Sequence, residues 1–378
     1  MSNKFDVIIL GSGIIGSTCA YELAKAGKRV LIVDNAEAHK SASKNSAAML
    51  EFQLDAHRGE PFYSLAQASM NLFPLLSKEI QELTKIDFQF EQKGILQIAL
   101  NEYESDTLQK EAMRQKKLGL GIEWLPPKEL KERLPNLSLT MFGAIFYEED
   151  GQVNGEKFLE ALQKGAELKG AQFSLNHKKI SIEKNKKDVT GVLVDNELIE
   201  ASWVLVCAGA WSDLLLEPLG FRLGIEPIRG QLVVYSTPKN EVPFPVYTKS
   251  GGYIAPKKDQ FTLAGTTVER AGFNNETTSE GEEVISHFSK TLFPHFSKTK
   301  KIKMTSGLRP KSPDELPALG PIFSIPHLLV AAGHFRNGIL LAPITAKLMT
   351  SFVLGAKFDV DPTPFSPERF LQIVAPSS

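Results

Sequence analysis

Six residues near the start of the chain, Gly11-Ser12-Gly13-Ile14-Ile15-Gly16, have the spacing G-x-G-x-x-G. Where such a run joins a buried strand to a helix, each glycine has its own task. Gly11 permits the tight turn, Gly13 lets the backbone approach a pyrophosphate, and Gly16 lets the helix lie close on the sheet. The helix then turns its free N–H groups and positive dipole end toward the phosphates. Asp34 follows Gly16 by 18 residues. A carboxylate there accepts hydrogen bonds from a ribose 2′-OH and disfavours a 2′-phosphate. These residues point to an adenine dinucleotide and do not separate FAD from NAD.

A second set lies downstream. Ser41-Ala42-Ser43-Lys44-Asn45-Ser46-Ala47-Ala48-Met49-Leu50 is rich in small hydroxyl residues ahead of an apolar run. Read alone, it is equally a linker with a helix cap. A flavin needs another site far along the chain, and Gly333-His334-Phe335-Arg336-Asn337-Gly338-Ile339-Leu340 is a candidate. It joins a buried strand to a helix, so the positive helix end faces the flavin edge that gains negative charge on reduction. Arg309, in Gly-Leu-Arg-Pro, and Arg336 each offer the planar two-donor fork that anchors a carboxylate, and Tyr253 adds a hydroxyl donor. Taken singly, each arginine is more often a structural ion-pair residue.

The elements that position these groups follow from periodicity. Residues 5–10 read as a buried strand, 13–26 as a helix stopped by Gly27, and 30–33 as the next strand. Strand, helix and strand in this order make a βαβ unit with a parallel sheet. A helix starts at Pro61 and runs to about Thr84, with a kink expected at Pro74. Further helices are expected over 104–117, 156–169, 279–293 and 338–354, and strands near 171–176, 190–195, 203–207 and 328–332. From Gly230 to Val268 the pattern is antiparallel, with Lys257-Lys258-Asp259-Gln260 as a hairpin turn. The return to βαβ order late in the chain implies an α/β fold. Its doubly wound cofactor domain is built from discontinuous segments, 1–85, 147–222 and 321–378. A smaller antiparallel-sheet substrate domain, 86–146 and 223–320, is interleaved with it.

Composition narrows the function. The chain has 378 residues, with Lys+Arg 43 against Asp+Glu 44, a net charge of −1. That balance argues against a nucleic-acid or anionic-membrane binder, which needs a basic excess. The basic run Lys298–Lys303 reads as a solvated strand edge. Cys19 and Cys207 lie in apolar segments and exclude a disulfide framework. The N-terminus lacks the pattern of a signal peptide, since Asp6 interrupts it, and the apolar stretch 338–356 contains Pro343 and Lys347 and reads as a core helix. A cytoplasmic location is therefore expected. The seven histidines are scattered with no pair at ligand spacing, so no metal is expected, and no G-x-S-x-G elbow supports a hydrolase.

With the motifs taken together, the chain resembles the glycine oxidase branch of the D-amino-acid-oxidase-like flavoproteins. The resemblance rests on Gly-Ser-Gly-Ile-Ile-Gly, Ala-Ser-Lys-Asn-Ser-Ala-Ala-Met-Leu, Gly307-Leu308-Arg309-Pro310 and Gly-His-Phe-Arg-Asn-Gly-Ile-Leu-Leu-Ala-Pro, in that order over nearly the full chain. It implies FAD, oxidative deamination of small amines or amino acids, and release of imine and hydrogen peroxide with oxygen as acceptor. A homotetramer is also implied. Carried over residue by residue, Ile14 and Ile15 lie against the pyrophosphate, and Asp34 and Asn35 hold the adenosine ribose. Ala42, Ser43, Ala47, Ala48 and Met49 line the pyrophosphate and flavin, and Lys179 meets the adenine through its backbone. The turn at Gly333 and residues His334 to Leu340 wrap the flavin ring, while Tyr253, Arg309 and Arg336 bind the substrate carboxylate. Related sarcosine oxidases bind flavin through a cysteine, and the C-terminal third here has none, so non-covalent FAD is expected.

Three positions depart from the pattern of the relatives, which usually have glycine at Glu51, histidine at Gly251 and methionine at Thr267. Glu51 adds a carboxylate near the substrate, which disfavours plain anionic substrates or favours one with a second amine. The reaction expected is hydride transfer from the substrate α-carbon to flavin N5, followed by hydrolysis of the imine to an oxo acid and ammonia. No residue is assigned as acid or base. The rivals are a dehydrogenase of the same fold serving an acceptor other than oxygen, an NAD-linked dehydrogenase, and a nucleotide-binding protein without catalysis.

Overall fold

The computed structural model describes residues 4–35, 42–138, 141–186, 188–237, 242–370 and 372–373; Ser41 of the hydroxyl-rich run falls outside them. Strand β1 (Phe5–Leu10), helix α1 (Ile14–Lys25) and strand β2 (Val30–Asn35) form the expected βαβ unit. In β1 the side chains of Val7 and Ile9 join one apolar cluster and those of Ile8 and Leu10 another. Val30 and Ile32 against Leu31 and Val33 in β2 divide the same way. A strand apolar on both faces requires cover on both faces, which is the condition of a parallel sheet.

The first sheet runs Ala318–Pro321, Leu328–Ala332, Glu197–Val206, β1, β2, Gln172–His177, with Val189–Val194 and Ile180–Lys184 attached beside Glu197–Val206. The five strands from Leu328–Ala332 to Gln172–His177 in this order are parallel. Leu10 pairs with both Val33 and Val206, and Val206 with Val330, so these four residues share one level near the carboxyl ends of their strands. Gly11, Asp34 and Cys207 follow directly on three of them. The boundary expected between 320 and 321 cuts through Ala318–Pro321, which pairs antiparallel with Leu328–Ala332 and belongs to this sheet.

One face of the sheet is covered by α1, by α2 (Phe62–Thr84), and by the helices Gly155–Leu168 and Gly338–Leu354. Pro61 caps α2, and the helix continues through Pro74 as one element. In the helix Gly338–Leu354, Pro343 interrupts the hydrogen-bond ladder. Ser69 of α2 bridges the next rung, donating to Leu340 O at 2.6 Å and accepting from Ile344 N at 3.3 Å. The apolar stretch Phe335–Leu354 is mostly buried against these neighbours.

The second sheet has the order Lys301–Lys311, Glu226–Ser236, Phe261–Gly265, Tyr253–Lys257, Val246–Thr248, Ile95–Ile98, Ala144–Tyr147, Ile122–Leu125. All its pairs are antiparallel except Val246–Thr248 with Ile95–Ile98. The hairpin turn is shorter than expected. Lys257 still pairs with Phe261, so it is a strand residue and not part of the turn.

Candidate active site

The carboxyl-end side of the first sheet opens into a cleft that continues to the face of the second sheet. At its first-sheet end, Gly11 has φ +114°, and a Cβ there would stand 2.4 Å from Cys207 O. A Cβ on Gly16 would stand 1.9 Å from Gly11 O, which presses α1 onto the glycine turn. No side chain of the N-cap Gly13 closes α1. Instead Ser43 Oγ accepts the Ile14 N–H at 3.0 Å, and a Cβ on Gly13 would meet that oxygen at 3.2 Å. A helix terminus whose own N-cap residue has no side chain, walled by backbone, suits a pyrophosphate.

Asp34 is tied into this loop. Its Oδ2 accepts both the N–H and the hydroxyl of Ser12 at 2.6 Å, and Oδ1 accepts the Asn35 N–H at 2.8 Å. Asn35, Ala42, Ser43, Ala47, Ala48, Met49, Ile14 and Ile15 all line the cleft. Lys179 lines it too, but its N–H donates to Asp195 Oδ1 at 2.9 Å and its carbonyl accepts from Asp195 N at 2.9 Å. The backbone groups assigned to adenine are thus already engaged.

The loop Ala47–Met49 is held by a residue that reading the sequence missed. Lys257 is buried, and its Nζ donates to Ala47 O at 2.7 Å, Val153 O at 2.8 Å and Gln152 Oε1 at 2.9 Å. Burial lowers its pKa to about 7. Tyr253, Ala255 and Lys257 alternate on one face of their strand. That alternation was the available signal, and it was lost when Lys257 was read as turn.

At the second-sheet end, Arg309, Tyr253, Tyr247, Glu51, Thr266 and Arg336 line the cleft. Arg309 lies on the long strand Lys301–Lys311 over Gly230, where a Cβ would come within 2.1 Å of the guanidinium. Its Nη2 donates to Thr266 Oγ1 at 2.6 Å and Nη1 to Thr267 O at 3.1 Å. No carboxylate neutralises it among the described residues. Tyr253 and Tyr247 stack with ring centroids 6.3 Å apart. Burial pushes the Tyr253 hydroxyl up to about 12.

The two arginines expected to form one clamp are not equivalent. Arg336 donates from Nη2 to both carboxylate oxygens of Asp55, at 2.9 and 3.1 Å, and from Nη1 to Tyr247 Oη at 2.7 Å. Asp55 is fully buried and also accepts from Asn337 Nδ2 at 3.0 Å. Arg336 thus carries its own counter-ion, and Asp55 and Tyr247 join the site without any motif having marked them. Of the residues expected to wrap a flavin, His334, Phe335, Arg336, Gly338 and Ile339 line the cleft. Gly333, Asn337 and Leu340 do not, nor does Gly16. Gly333 makes the turn at φ +77°, Asn337 holds Asp55, and Leu340 is bound by Ser69. His334 is buried against Thr345 Oγ1, and burial lowers its pKa to about 3, so the ring is neutral.

Glu51 is 6% exposed and lines the cleft. Its carboxylate makes no hydrogen bond among the described residues. Burial raises its pKa to about 7, against the lowering influence of Arg336 and Arg309, while Asp55 adds to the rise.

The profile of the family described as FAD dependent oxidoreductase matches residues 6–352. The chain is 32% identical over 374 residues to a glycine oxidase of Geobacillus kaustophilus, covering 98% of each chain. It is 29% identical to a hydrogen cyanide synthase subunit of Pseudomonas protegens, covering 98% of this chain and 97% of that protein. The crystal structure of glycine oxidase from Geobacillus kaustophilus superposes with a TM-score of 0.93 at 31% identity, covering 97% of this chain and 98% of the other.

Proposed function

Because the chain belongs to the FAD-dependent oxidoreductase family and binds FAD, we propose that it oxidatively deaminates glycine or another small amino acid to the oxo acid and ammonia, with oxygen reduced to hydrogen peroxide. The observation that carries this reading is Arg309, a guanidinium facing the cleft with only neutral partners beside Tyr253. A carboxylate is the ligand that such a fork lacks.

The residues present fit the cofactor. Gly11, Gly13 and the start of α1 would hold the pyrophosphate, Asp34 and Asn35 the ribose, and Ala47 to Met49 with His334 to Arg336, Gly338 and Ile339 the flavin. When bound, the flavin supplies the acceptor for the hydride leaving the substrate α-carbon. Arg309 and Tyr253 orient the substrate by its carboxylate, and Arg336 contributes the N–H groups that Asp55 and Tyr247 leave open. Positioning of this kind removes much of the entropic part of a barrier. We assign the first sheet and its helices to the cofactor unit, with Ala318–Pro321 included, and the second sheet to the substrate unit.

The test is a panel of glycine, sarcosine, D-amino acids, L-amino acids and diamines, scored by peroxide release. Amino acids that reduce the flavin and release peroxide support the reading. Dye reduction without oxygen consumption assigns a dehydrogenase instead. Turnover of amines lacking a carboxylate, with none of amino acids, overturns the amino-acid part.

A further inference from the structure

The cleft holds an anion that the reading above leaves without a task. Arg336 has Asp55 as its hydrogen-bonded counter-ion, whereas Arg309 and Glu51 have none. The substrate end therefore presents a guanidinium and, once Glu51 is ionised, a carboxylate, neither with a hydrogen-bonded ion partner among the described residues. That is the charge pattern of a zwitterion, with the carboxylate for Arg309 and the ammonium for Glu51.

Chemistry adds a requirement. An ammonium nitrogen has no lone pair, so it cannot expel hydride from the neighbouring carbon. The amine must first lose a proton. The other titratable groups in the cleft wall or directly behind it are unsuited to receive it. His334 is buried against Thr345 and titrates far below neutrality. Asp55 is locked by Arg336 and Asn337. Lys257 points its ammonium at the carbonyls of Ala47 and Val153.

We propose that Glu51 is a catalytic residue that binds the substrate α-ammonium and takes one proton from it before hydride transfer. The proposal rests on the amino-acid reading above and deepens it. In the step, one N–H bond breaks and one O–H bond forms on Glu51. The nitrogen lone pair so exposed becomes the second bond of C=N as the Cα–H electron pair leaves for the oxidised flavin. The proton passes from Glu51 to solvent through the cleft mouth when the product leaves. The groups that set its acidity are Arg336, Arg309 and Asp55, and it is felt in turn by Tyr247, Tyr253 and Asp150. With a carboxyl poised near 7, the ionised form is the acceptor above that pH.

The experiment uses holoenzyme and anaerobic flavin reduction across pH, with glycine, sarcosine, D-alanine, L-alanine, L-proline and L-lysine as probes. In the wild type, kcat/KM for the active probe should rise through about pH 7. In Glu51→Gln that acid limb should move up toward the ionisation of the probe's own ammonium. The rate at pH 7.5 should fall roughly 10²-fold, and much of it should return at high pH. Glu51→Asp should keep the limb near its wild-type position. Flavin content and spectrum confirm that both variants are folded and loaded. An unmoved limb in Glu51→Gln overturns the proposal. So does a loss confined to KM for L-lysine, which would make Glu51 a site for a second cation. If no probe reduces the wild-type flavin, the amino-acid reading itself falls.

Discussion

Asp55 and Arg336 lie 281 residues apart, yet one guanidinium nitrogen of Arg336 bonds both oxygens of Asp55, at 2.9 and 3.1 Å. The pair ties the turn after β3 (Met49–Leu50) to the start of the last long helix, across the wall of the cleft. It also decides which arginine is free. Asp55→Ala should cost about 1.5–3 kcal/mol, the range for hydrogen bonds to charged groups, read from urea denaturation. The released Arg336 should then compete for the substrate carboxylate and alter KM. Asp55→Asn keeps an acceptor and should cost less. Unchanged midpoints in both variants would show the pair to be neutral in stability.

Arg309 carries the functional claim. Arg309→Ala should reduce kcat/KM by about 2–5 kcal/mol of transition-state stabilisation, with the flavin spectrum nearly unchanged. Arg309→Lys keeps the charge but loses the fork and should still be impaired. Gly230→Ala tests the same point from beneath, because its Cβ would occupy the space of the guanidinium. It should resemble Arg309→Ala in direction. Wild-type kcat/KM in Arg309→Ala would falsify the carboxylate clamp.

Asp34 links the ribose site to the glycine turn through Ser12. Asp34→Ala removes charge-assisted bonds worth about 1.5–3 kcal/mol, so FAD should bind roughly ten- to a hundredfold more weakly. Titration of the apoprotein with FAD measures this. Equal affinity in variant and wild type would leave Asp34 a structural anchor of Ser12 only.

Lys257 predicts a pH dependence of stability. Burial depresses its folded pKa to about 7, below the ordinary lysine value of 10.5. Between these values the unfolded chain binds more protons than the folded one, so this group makes stability rise with pH across that window. Below about 7 both states are protonated and the contribution stays at its least favourable. Denaturation midpoints at pH 7 and pH 9 should rise in the wild type relative to Lys257→Met. Parallel pH dependence in the two proteins would refute the assignment.

What was legible in the sequence is what local chemistry specifies. The glycine spacing located β1, α1 and β2, and Pro61 marked the start of α2. The apolar run 338–354 marked the last helix. The cleft-lining residues from Ile14 to Met49 were likewise found by motif and resemblance. Contacts between distant segments left no such trace. Asp55 has no local pattern to distinguish it, and its role exists only once Arg336 is folded beside it. Lys257 is an ordinary charged residue until the Ala47 carbonyl arrives. Gly333, Asn337 and Leu340 sit in a motif that faces the cleft, but a tight turn and a helix expose only some members of a run. Their neighbours face inward while they support from behind.

The common register of the four central strands sets how this enzyme tolerates changes in chain length. Leu10, Val33, Val206 and Val330 share one level, so Gly11, Asp34 and Cys207 keep step only while each strand keeps its residue count. Deleting one residue from β1 draws Gly11 back by about 3.3 Å. It also exchanges the faces on which Val7 and Ile9, or Ile8 and Leu10, are buried. Gene variants that lengthen or shorten the chain by one codon should therefore survive in the turns of the second sheet, such as Lys258–Gln260, and be lost from β1, β2 and Glu197–Val206.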